Sequence, residues 1–331
     1  MRKWSIVFPV LTIVIVVGGY FAFKDDSGSS EQYGDNPRLP TLIFYTTGLA
    51  TTPQLPLWAG VKHGEVTKLF NLKIELWKNL DDLQSILLAG KGDIWLGHIE
   101  GFALAKKRGS PICLLAVTGW RKFYIVSKNE EHKSIESFYG HTLPFAPIGS
   151  PAVPILKAIL KDKASQIAFQ PHEPKQLIMM LIRGKVDCAL VPEPLVTMML
   201  NKVKGLKIVL NVEDLYGEKT GGEARMPIAG VAVNTETARK YPKKIKALQK
   251  ILVSMADLLN KDKSKSLNVL PDSFNRFVSR EMATQSLSRD IIFVKTARKA
   301  EAEIIKYFKI ISPSLITDDG KLALDNSFLW E

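Results

Sequence analysis

The sequence predicts an α/β fold made of two successive units, each a mostly parallel sheet with helices on its faces, behind one apolar N-terminal segment. β-branched and aromatic runs alternate with helical patterns from residue 41 to about residue 226, the order typical of parallel sheets. The pattern restarts after residue 127, which divides it into units at about 41–127 and 128–226. The 331 residues, 46% of them hydrophobic, are enough for each unit to bury its own core.

The N-terminal segment predicts the compartment. Residues 4–23 carry no charge and are long enough to cross a bilayer as a helix. Arg2 and Lys3 precede them, which favours a cytoplasmic start and an exported body. A good cleavage site is missing, so we expect residues 1–24 to be a signal anchor, with a cleaved signal peptide as the alternative. No cysteine follows the apolar run, which excludes a bacterial lipoprotein anchor.

Residues 25–37 are polar and rich in Gly, Ser and Asp, which is typical of a flexible tether. The later apolar stretches are short and interrupted by charges, so we expect a single membrane segment. The net charge of +12 favours anionic partners without naming one. Cys113 and Cys188 are too few for a disulfide scaffold or a four-thiolate zinc site, and both lie in apolar runs that predict burial.

The strands of the first unit are predicted from short runs of β-branched and aromatic residues. They cover residues 41–47, 72–78, 93–97, 111–117 and 122–127. Helices are predicted between them, at residues 55–70, 81–91 and 101–109. Pro56 stands at a favoured first helical position, and Gly90 and Gly109 are typical of helix ends.

The second unit repeats this alternation. Its predicted strands cover residues 141–147, 166–171, 185–192 and 206–212. Its predicted helices cover residues 134–140, 151–162, 174–184 and 194–202. Another strand follows at residues 227–234, and residues 235–331 are predicted to be almost wholly helical, with an apolar stripe over residues 245–259. This order indicates that the chain returns to the first unit, so lobe I would comprise residues 38–127 and 227–331, and lobe II residues 128–226.

Several blocks of the chain resemble the periplasmic solute-binding proteins of ABC importers, in particular the nitrate, sulfonate and thiamine-precursor group. They are LPLWAGVKHGEVTKLFNLKIELWKN, LQSILLAGKGDIWLGHIEGFALAKKRGSPICLLAV, LIRGKVDCALVPEPLVTMML and GHTLPFAPIGSPAVPILKAIL. The blocks are similar to that group in order and spacing, and the resemblance covers residues 41–310. It implies a two-lobed, type II periplasmic-binding-protein-like fold, here with one N-terminal transmembrane helix. Such a protein would be a monomer outside the cytoplasmic membrane that passes a small molecule to an ABC permease.

In open α/β sheets, ligands bind beyond the carboxyl ends of the strands, so the candidate site residues are those just after each strand. Thr46 and Thr47 end the first strand and Thr51 follows it; their hydroxyls donate to a ligand or only cap a turn. His98 and Glu100 follow the strand at 93–97. A carboxylate at that helix start is also favoured by the helix dipole alone.

The remaining candidates follow later strands. Thr118 and Trp120 come after the strand at 111–117. The Trp120 indole would stack on a planar ligand or cover the hinge between the two predicted lobes. Gly149 and Ser150 precede a helix whose first N–H groups are suited to a polar or anionic group, although an ordinary helix cap has the same pattern. Glu193 stands before the helix at 194–202.

Glu100 and Glu193 argue against a bare anion, because a buried carboxylate beside an anion is costly unless it is paired. A ligand that offers N–H groups, such as an aminopyrimidine, is then at least as plausible as a sulfonate. Arg225 would favour an anion if it points into the cleft. Asp93 and Asp187 are interpreted as structural residues that open strands.

Catalytic motifs are not found: the chain has no G-x-S-x-G, no H-E-x-x-H and no P-loop. The five histidines show no metal-ligand spacing, so neither an enzyme, a metal nor a cofactor is predicted. An exported location argues against nucleic-acid binding.

The basic run at 239–250 is expected to be a solvated helix face, or else a contact for anionic lipid or an acidic permease surface. A ligand-sensing accessory protein and an exported enzyme acting on a pyrimidine-like compound remain alternatives.

Overall fold

The computed structural model describes residues 31–48, 51–276 and 280–331. The strands are β1 (Gln32–Tyr33), β2 (Thr41–Thr46), β3 (Asn71–Leu76), β4 (Ile94–His98), β5 (Ile112–Gly119), β6 (Phe123–Ser127), β7 (Thr142–Phe145), β8 (Ala168–Pro171), β9 (Cys188–Pro192), β10 (Lys207–Asn211), β11 (Ala229–Asn234) and β12 (Lys295–Thr296). The helices are α1 (Leu55–Lys62), α2 (Leu80–Leu88), α3 (Ile99–Lys107), α4 (Ala152–Leu160), α5 (Pro174–Ile182), α6 (Leu195–Lys202), α7 (Val212–Thr220), α8 (Thr235–Lys240), α9 (Pro242–Lys261), α10 (Arg280–Leu287) and α11 (Glu301–Ile311).

The strands form two sheets. The first sheet has the order β1-β3-β2-β4-β11-β5-β12. In it β2 is parallel to β3 and β4, whereas β11 is antiparallel to β4 and β5. The strand predicted to return from the second unit is therefore β11, and it inserts into the middle of the first sheet.

The second sheet has the order β10-β6-β9-β7-β8. Strand β6 was predicted as the last strand of the first unit, but it pairs antiparallel with β9 and β10 and belongs to the second sheet. The crossover between the sheets thus lies at residues 120–122 and not at residue 127. An apolar run reveals a strand but not its partner, which is fixed here by pairing with residues more than sixty positions away.

Two local predictions also need correction. The helix predicted at 55–70 ends at Lys62, because Gly64 adopts a left-handed φ of +74° and turns the chain. The tether predicted at 25–37 is not wholly free. Gln32 and Tyr33 form the edge strand β1 on β3, and the Tyr33 ring packs 5.3 Å from that of Trp58.

Apolar clusters hold the sheets to their helices. One cluster lies between the first sheet and α1 and α9, and another between the second sheet and α5 and α6. The predicted stripe in 245–259 faces the former, with Leu248 and Leu252 fully buried in α9. A further cluster contains residues of both sheets, such as Leu114 and Ile125, together with Phe308 of α11. The C-terminal segment is less helical than predicted, because residues 288–300 and 312–331 contain turns, a short 3₁₀ helix and the edge strand β12.

The apolar segment predicted to cross the membrane, residues 4–23, lies outside the described residues. Across the ranges that the structure describes, no helix has the length and apolar character needed to span a bilayer.

Candidate functional site

The two sheets meet at a cleft that is built from strand ends. Parallel β2, β4 and β5 end at one edge of the first sheet, and β11 begins there because it runs the other way. In the second sheet β9 ends where antiparallel β6 begins, since Phe123 pairs with Pro192. The cleft is lined by Thr51, Thr52, Pro53, Gly119, Trp120, Arg121, Lys122, Glu193, Pro194, Ile228, Ala229, Ser286 and Asp290.

The cleft is nearly filled by its own side chains. It contains about 340 Å³ of space not occupied by atoms, of which about 10 Å³ can hold the centre of a water molecule. That is room for about one water molecule. The conformation is therefore a closed one, and a solute of several heavy atoms enters only if the sheets separate or the lining side chains move.

Lys122 and Asp290 place opposite charges in the cleft. Burial lowers the pKa of the Lys122 ammonium, and the attraction of Asp290 and Glu213 offsets part of this effect. Burial raises the pKa of Asp290 to about 6, against hydrogen bonds from Thr52 and the Ile291 N–H and the attraction of Lys122. The Ile291 N–H donates to Asp290 Oδ1 at 2.7 Å. Asp290 and Glu213 therefore stabilise the charged form of Lys122, whereas the Asp290 carboxylate is stabilised first by its hydrogen bonds and then by Lys122.

Glu213 fixes the crossover between the sheets. It lies in the first turn of α7, is fully buried, and accepts the N–H groups of Lys122 and Phe123 at 2.9 and 3.2 Å. Burial raises its pKa to about 7 although these hydrogen bonds oppose the shift. Glu213 therefore positions the backbone that carries Lys122.

A second charged group, which we call the Arg289 bridge, consists of Arg289, Glu193 and Thr197. Arg289 Nε donates to Glu193 Oε1 at 2.7 Å, and its Nη2 donates to Thr197 Oγ1. The Thr197 hydroxyl and N–H both donate to Glu193, at 2.9 and 3.2 Å. Arg289 follows α10, whose Leu287 packs in the apolar cluster of the first sheet, whereas Glu193 follows β9. The bridge thus ties the two sheets together across the cleft.

Of the residues predicted for the site, Thr51, Trp120 and Glu193 line the cleft. The Trp120 indole is 1% exposed and its Nε1 donates to the Phe293 carbonyl at 2.9 Å. Arg225 does not line the cleft. Its guanidinium lies 5.0 Å from the Trp120 ring and pairs with Glu303 at 3.0 Å, so it supplies no anion site there.

The other predicted residues of the first sheet lie beside the cleft without lining it. The Thr46 hydroxyl donates to Gln54 Oε1 at 3.0 Å, and Thr47 is buried. His98 stands opposite Ala229 in the sheet, and burial, then the Lys122 charge, lower its pKa to about 3. His98 is therefore neutral. Thr118 is buried, and its hydroxyl finds no partner within the described part of the chain.

Glu100, Gly149 and Ser150 also lie outside the lining of the cleft. Glu100 accepts a hydrogen bond from the Ser312 hydroxyl, which follows α11. Ser150 is buried and its Oγ accepts the Ala152 N–H at 3.4 Å at the start of α4. Gly149 has a left-handed φ of +76°. In this closed conformation Ser150 caps the start of a helix and Glu100 binds a neighbouring segment, so neither contacts the cleft.

Sequence reasoning missed Lys122, Asp290 and Arg289. Lys122 carried a usable signal, since it lies at the crossover directly after Trp120 and Arg121. Asp290 and Arg289 have no sequence signal that places them at the site, because they follow a C-terminal helix and no strand ends beside them in sequence.

No protein-family model matches this sequence, and no curated protein matches it. Solved structures do. The periplasmic aliphatic sulphonate binding protein SsuA from Escherichia coli aligns over 89% of this chain and 93% of its own, with 13% identity and a TM-score of 0.66. A ligand binding component of an ABC-type import system from Staphylococcus aureus, with zinc bound, aligns over 86% and 96%, with 15% identity and a TM-score of 0.63.

The periplasmic nitrate-binding protein NrtA from Synechocystis PCC 6803 aligns over 78% of this chain and 70% of its own, with 14% identity and a TM-score of 0.54. Two of these neighbours are periplasmic binding proteins and one is a ligand-binding component of an ABC-type import system, so the resemblance predicted from the sequence is confirmed for the fold.

The buried Asp290 predicts a measurable pH dependence. The folded protein keeps a proton on Asp290 that the unfolded chain releases between its ordinary pKa of 3.8 and the folded value of about 6. This group therefore makes stability fall as the pH rises through that window. Relative to the parent, Asp290→Asn is expected to gain up to about 3 kcal/mol of unfolding free energy between pH 4 and pH 7.

Urea denaturation at several pH values measures this difference. The comparison is between variant and parent because His98 and Glu213 also have shifted pKa values in or near this range. Asp318→Asn, at an exposed position, is the matched control and should follow the parent. Parallel curves for all three proteins would show that Asp290 is not desolvated.

Proposed function

We propose that this chain is an extracytoplasmic solute-binding protein that captures a small polar organic molecule in the cleft and presents it to an ABC permease. The observation that carries this proposal is a set of charged side chains, half-buried Lys122 with buried Asp290 and Glu193, at the strand ends where two sheets of the periplasmic-binding-protein fold meet. Clefts at that place are where open α/β sheets bind ligands. The Staphylococcus aureus neighbour is a ligand-binding component of an ABC-type import system, which supports the same function.

In this proposal the two sheets with their helices act as lobes, and residues 4–23 hold the monomer at the outer face of the membrane. The solute enters when the lobes separate and is buried when they close. A ligand shifts this equilibrium only by the difference in its affinity for the two states. A micromolar affinity corresponds to about 8 kcal/mol, which is ample for a hinge that costs a few.

The lining chemistry supports two ligand classes. A sulfonate-like anion would take the Lys122 ammonium as its partner and replace the attraction of Asp290. An aminopyrimidine-like compound would donate its N–H groups to Asp290 and leave Lys122 to a ring acceptor. Glu193 is already satisfied by Thr197 and Arg289, so it contributes to closure rather than to the first contact with the solute.

Ligand-induced thermal stabilisation separates the two classes. The purified chain is screened against alkanesulfonates and aminopyrimidines, and native mass spectrometry identifies any co-purified molecule. If the ligand is a sulfonate, Lys122→Met should weaken binding at least tenfold and Asp290→Asn should not. If the ligand is an aminopyrimidine, Asp290→Asn should weaken binding at least tenfold and Lys122→Met should not. Lys204→Met, at an exposed position, is the matched control.

Absence of a co-purified molecule and of stabilisation by both classes would contradict the proposed function. The alternatives predict other outcomes. An exported enzyme would return a changed compound after incubation, whereas a binding protein returns it unchanged. A sensing accessory protein would bind the solute but would not crosslink to a permease in membranes of its host.

A further inference from the structure

A cluster of potential metal ligands lies at the second sheet, at the end remote from the cleft. A ring nitrogen of His132, a carboxylate oxygen of Asp187 and the Cys188 sulfur all lie within 4.8 Å of one another. We propose that these three residues form a binding site for a divalent transition metal, with Zn²⁺ the ion that fits best. The site is independent of the solute cleft and of its function.

Strand pairing brings the three residues together. Strands β6 and β9 are antiparallel, and Ser127 at the end of β6 stands directly opposite Cys188 at the start of β9. Asp187 precedes Cys188, and His132 returns to this point from the loop after β6. Glu193 at the cleft lies five residues further along, roughly 16 Å away at the rise of a strand.

Ser127 is hydrogen-bonded to the His132 ring. Its Oγ lies 2.8 Å from His132 Nδ1 and 3.3 Å from the Asp187 carbonyl oxygen, and it accepts the Asn129 N–H at 2.9 Å. With the hydroxyl proton donated to the Asp187 carbonyl, Ser127 can accept an N–H from Nδ1. That tautomer leaves Nε2 with a free lone pair for a metal. A histidine ligand is commonly oriented in this way by a hydrogen bond to its other nitrogen.

The donor set selects the kind of metal. Thiolate and imidazole together favour zinc and similar ions over Mg²⁺ and Ca²⁺, which prefer oxygen alone. Three protein ligands leave a fourth tetrahedral position for water. On binding, the Cys188 thiol releases its proton to solvent and the thiolate bonds to the metal.

The geometry needs only side-chain adjustment. Ligand atoms around tetrahedral zinc lie about 3.3–3.8 Å apart, so a separation at the 4.8 Å limit would have to shorten by roughly 1 Å. Cys188 is 3% exposed and fixed in its strand, whereas Asp187 is exposed and His132 half-buried. The two outer ligands can therefore move onto the sulfur, and an ion can reach it from solvent.

Metal titration of the full chain tests the site. After treatment with a chelator and its removal, the protein is titrated with Co²⁺ and Zn²⁺. We expect one equivalent of Co²⁺ to give a sulfur-to-cobalt charge-transfer band that Zn²⁺ abolishes. Cys188→Ser should remove the band, and His132→Gln and Asp187→Asn should each weaken Zn²⁺ affinity at least tenfold.

The chain offers matched controls. Cys113→Ser alters the other buried cysteine, in β5 of the first sheet, and His63→Gln alters an exposed histidine near α1. Both variants should bind like the parent. The proposal is overturned if no charge-transfer band forms, or if Cys188→Ser binds Co²⁺ with the parent spectrum. Should Cys188→Ser not fold, the exposed Asp187→Asn decides, and unchanged Zn²⁺ affinity in that variant also overturns it.

Discussion

Replacing Arg289 by alanine is expected to lower the free energy of unfolding by about 3 kcal/mol, because it leaves a buried carboxylate without its cation. Glu193 is 4% exposed, and its Oε1 lies 2.7 Å from Arg289 Nε. The hydrogen bonds from Thr197 remain in the variant but supply no charge. Because the Arg289 side chain is 27% exposed, solvent screens part of the interaction, and the loss should fall at the lower end of the range for buried pairs.

A double-mutant cycle isolates this interaction. Glu193→Gln in the Arg289→Ala background removes the uncompensated charge and should recover most of the loss. Arg183→Ala, at an exposed position after α5, is the matched control and is expected to change stability by less than about 0.5 kcal/mol. Chemical denaturation measures the parent, the two single variants, the double variant and the control. Additive effects of Arg289→Ala and Glu193→Gln would mean that the two side chains do not interact in solution.

The Arg289 bridge also bears on closure. It joins the segment after α10 to the start of α6, so its loss should favour separation of the sheets even where the chain stays folded. Small-angle scattering of folded Arg289→Ala should then show a larger radius of gyration than the parent.

The elements could be predicted from the sequence, whereas their partners could not. The run at 41–47 has the composition of a strand, and β2 occupies Thr41–Thr46. Asp93 was interpreted as structural, and it accepts the Ile43 N–H at 2.9 Å and the Thr237 hydroxyl at 2.6 Å. Strand β6 shows the limit: its apolar pattern is clear, but only long-range pairing assigns it to the second sheet.

The residues of the candidate site were also predictable only where a local sequence pattern marks them. Residues directly after strands, such as Thr51 and Glu193, could be placed near the cleft because strand ends meet there. Asp290 reaches the cleft through packing of α10, which no local pattern encodes. The His132 cluster was not predicted from the sequence for a similar reason. His132 and Asp187 are 55 positions apart, and only the antiparallel pairing of β6 and β9 brings them together.

Substitution of Gly230 by alanine should cost about 3 kcal/mol of unfolding free energy, the upper part of the range for an overpacked core. Gly230 lies in β11, between β4 and β5, and pairs with Gly97 and Val117. A Cβ atom there would lie 2.4 Å from the Ala116 carbonyl oxygen and 3.2 Å from Ile99 Cγ2. The first neighbour is backbone, so a side-chain rotation cannot relieve the contact and the strands must move apart.

The effect should reach the cleft, because β11 begins at Ala229, which lines it, and β5 leads into Lys122. Gly222→Ala is the matched control: its Cβ would meet only the flexible end of Lys306 at 2.8 Å and the Thr220 hydroxyl at 3.5 Å. We expect that variant to stay within about 0.5 kcal/mol of the parent. Thermal and urea denaturation compare the two alanines. Equal unfolding free energies for Gly230→Ala and Gly222→Ala would show that β11 lies further from β5 than the strand register places it. The described geometry of the cleft would then be wrong as well.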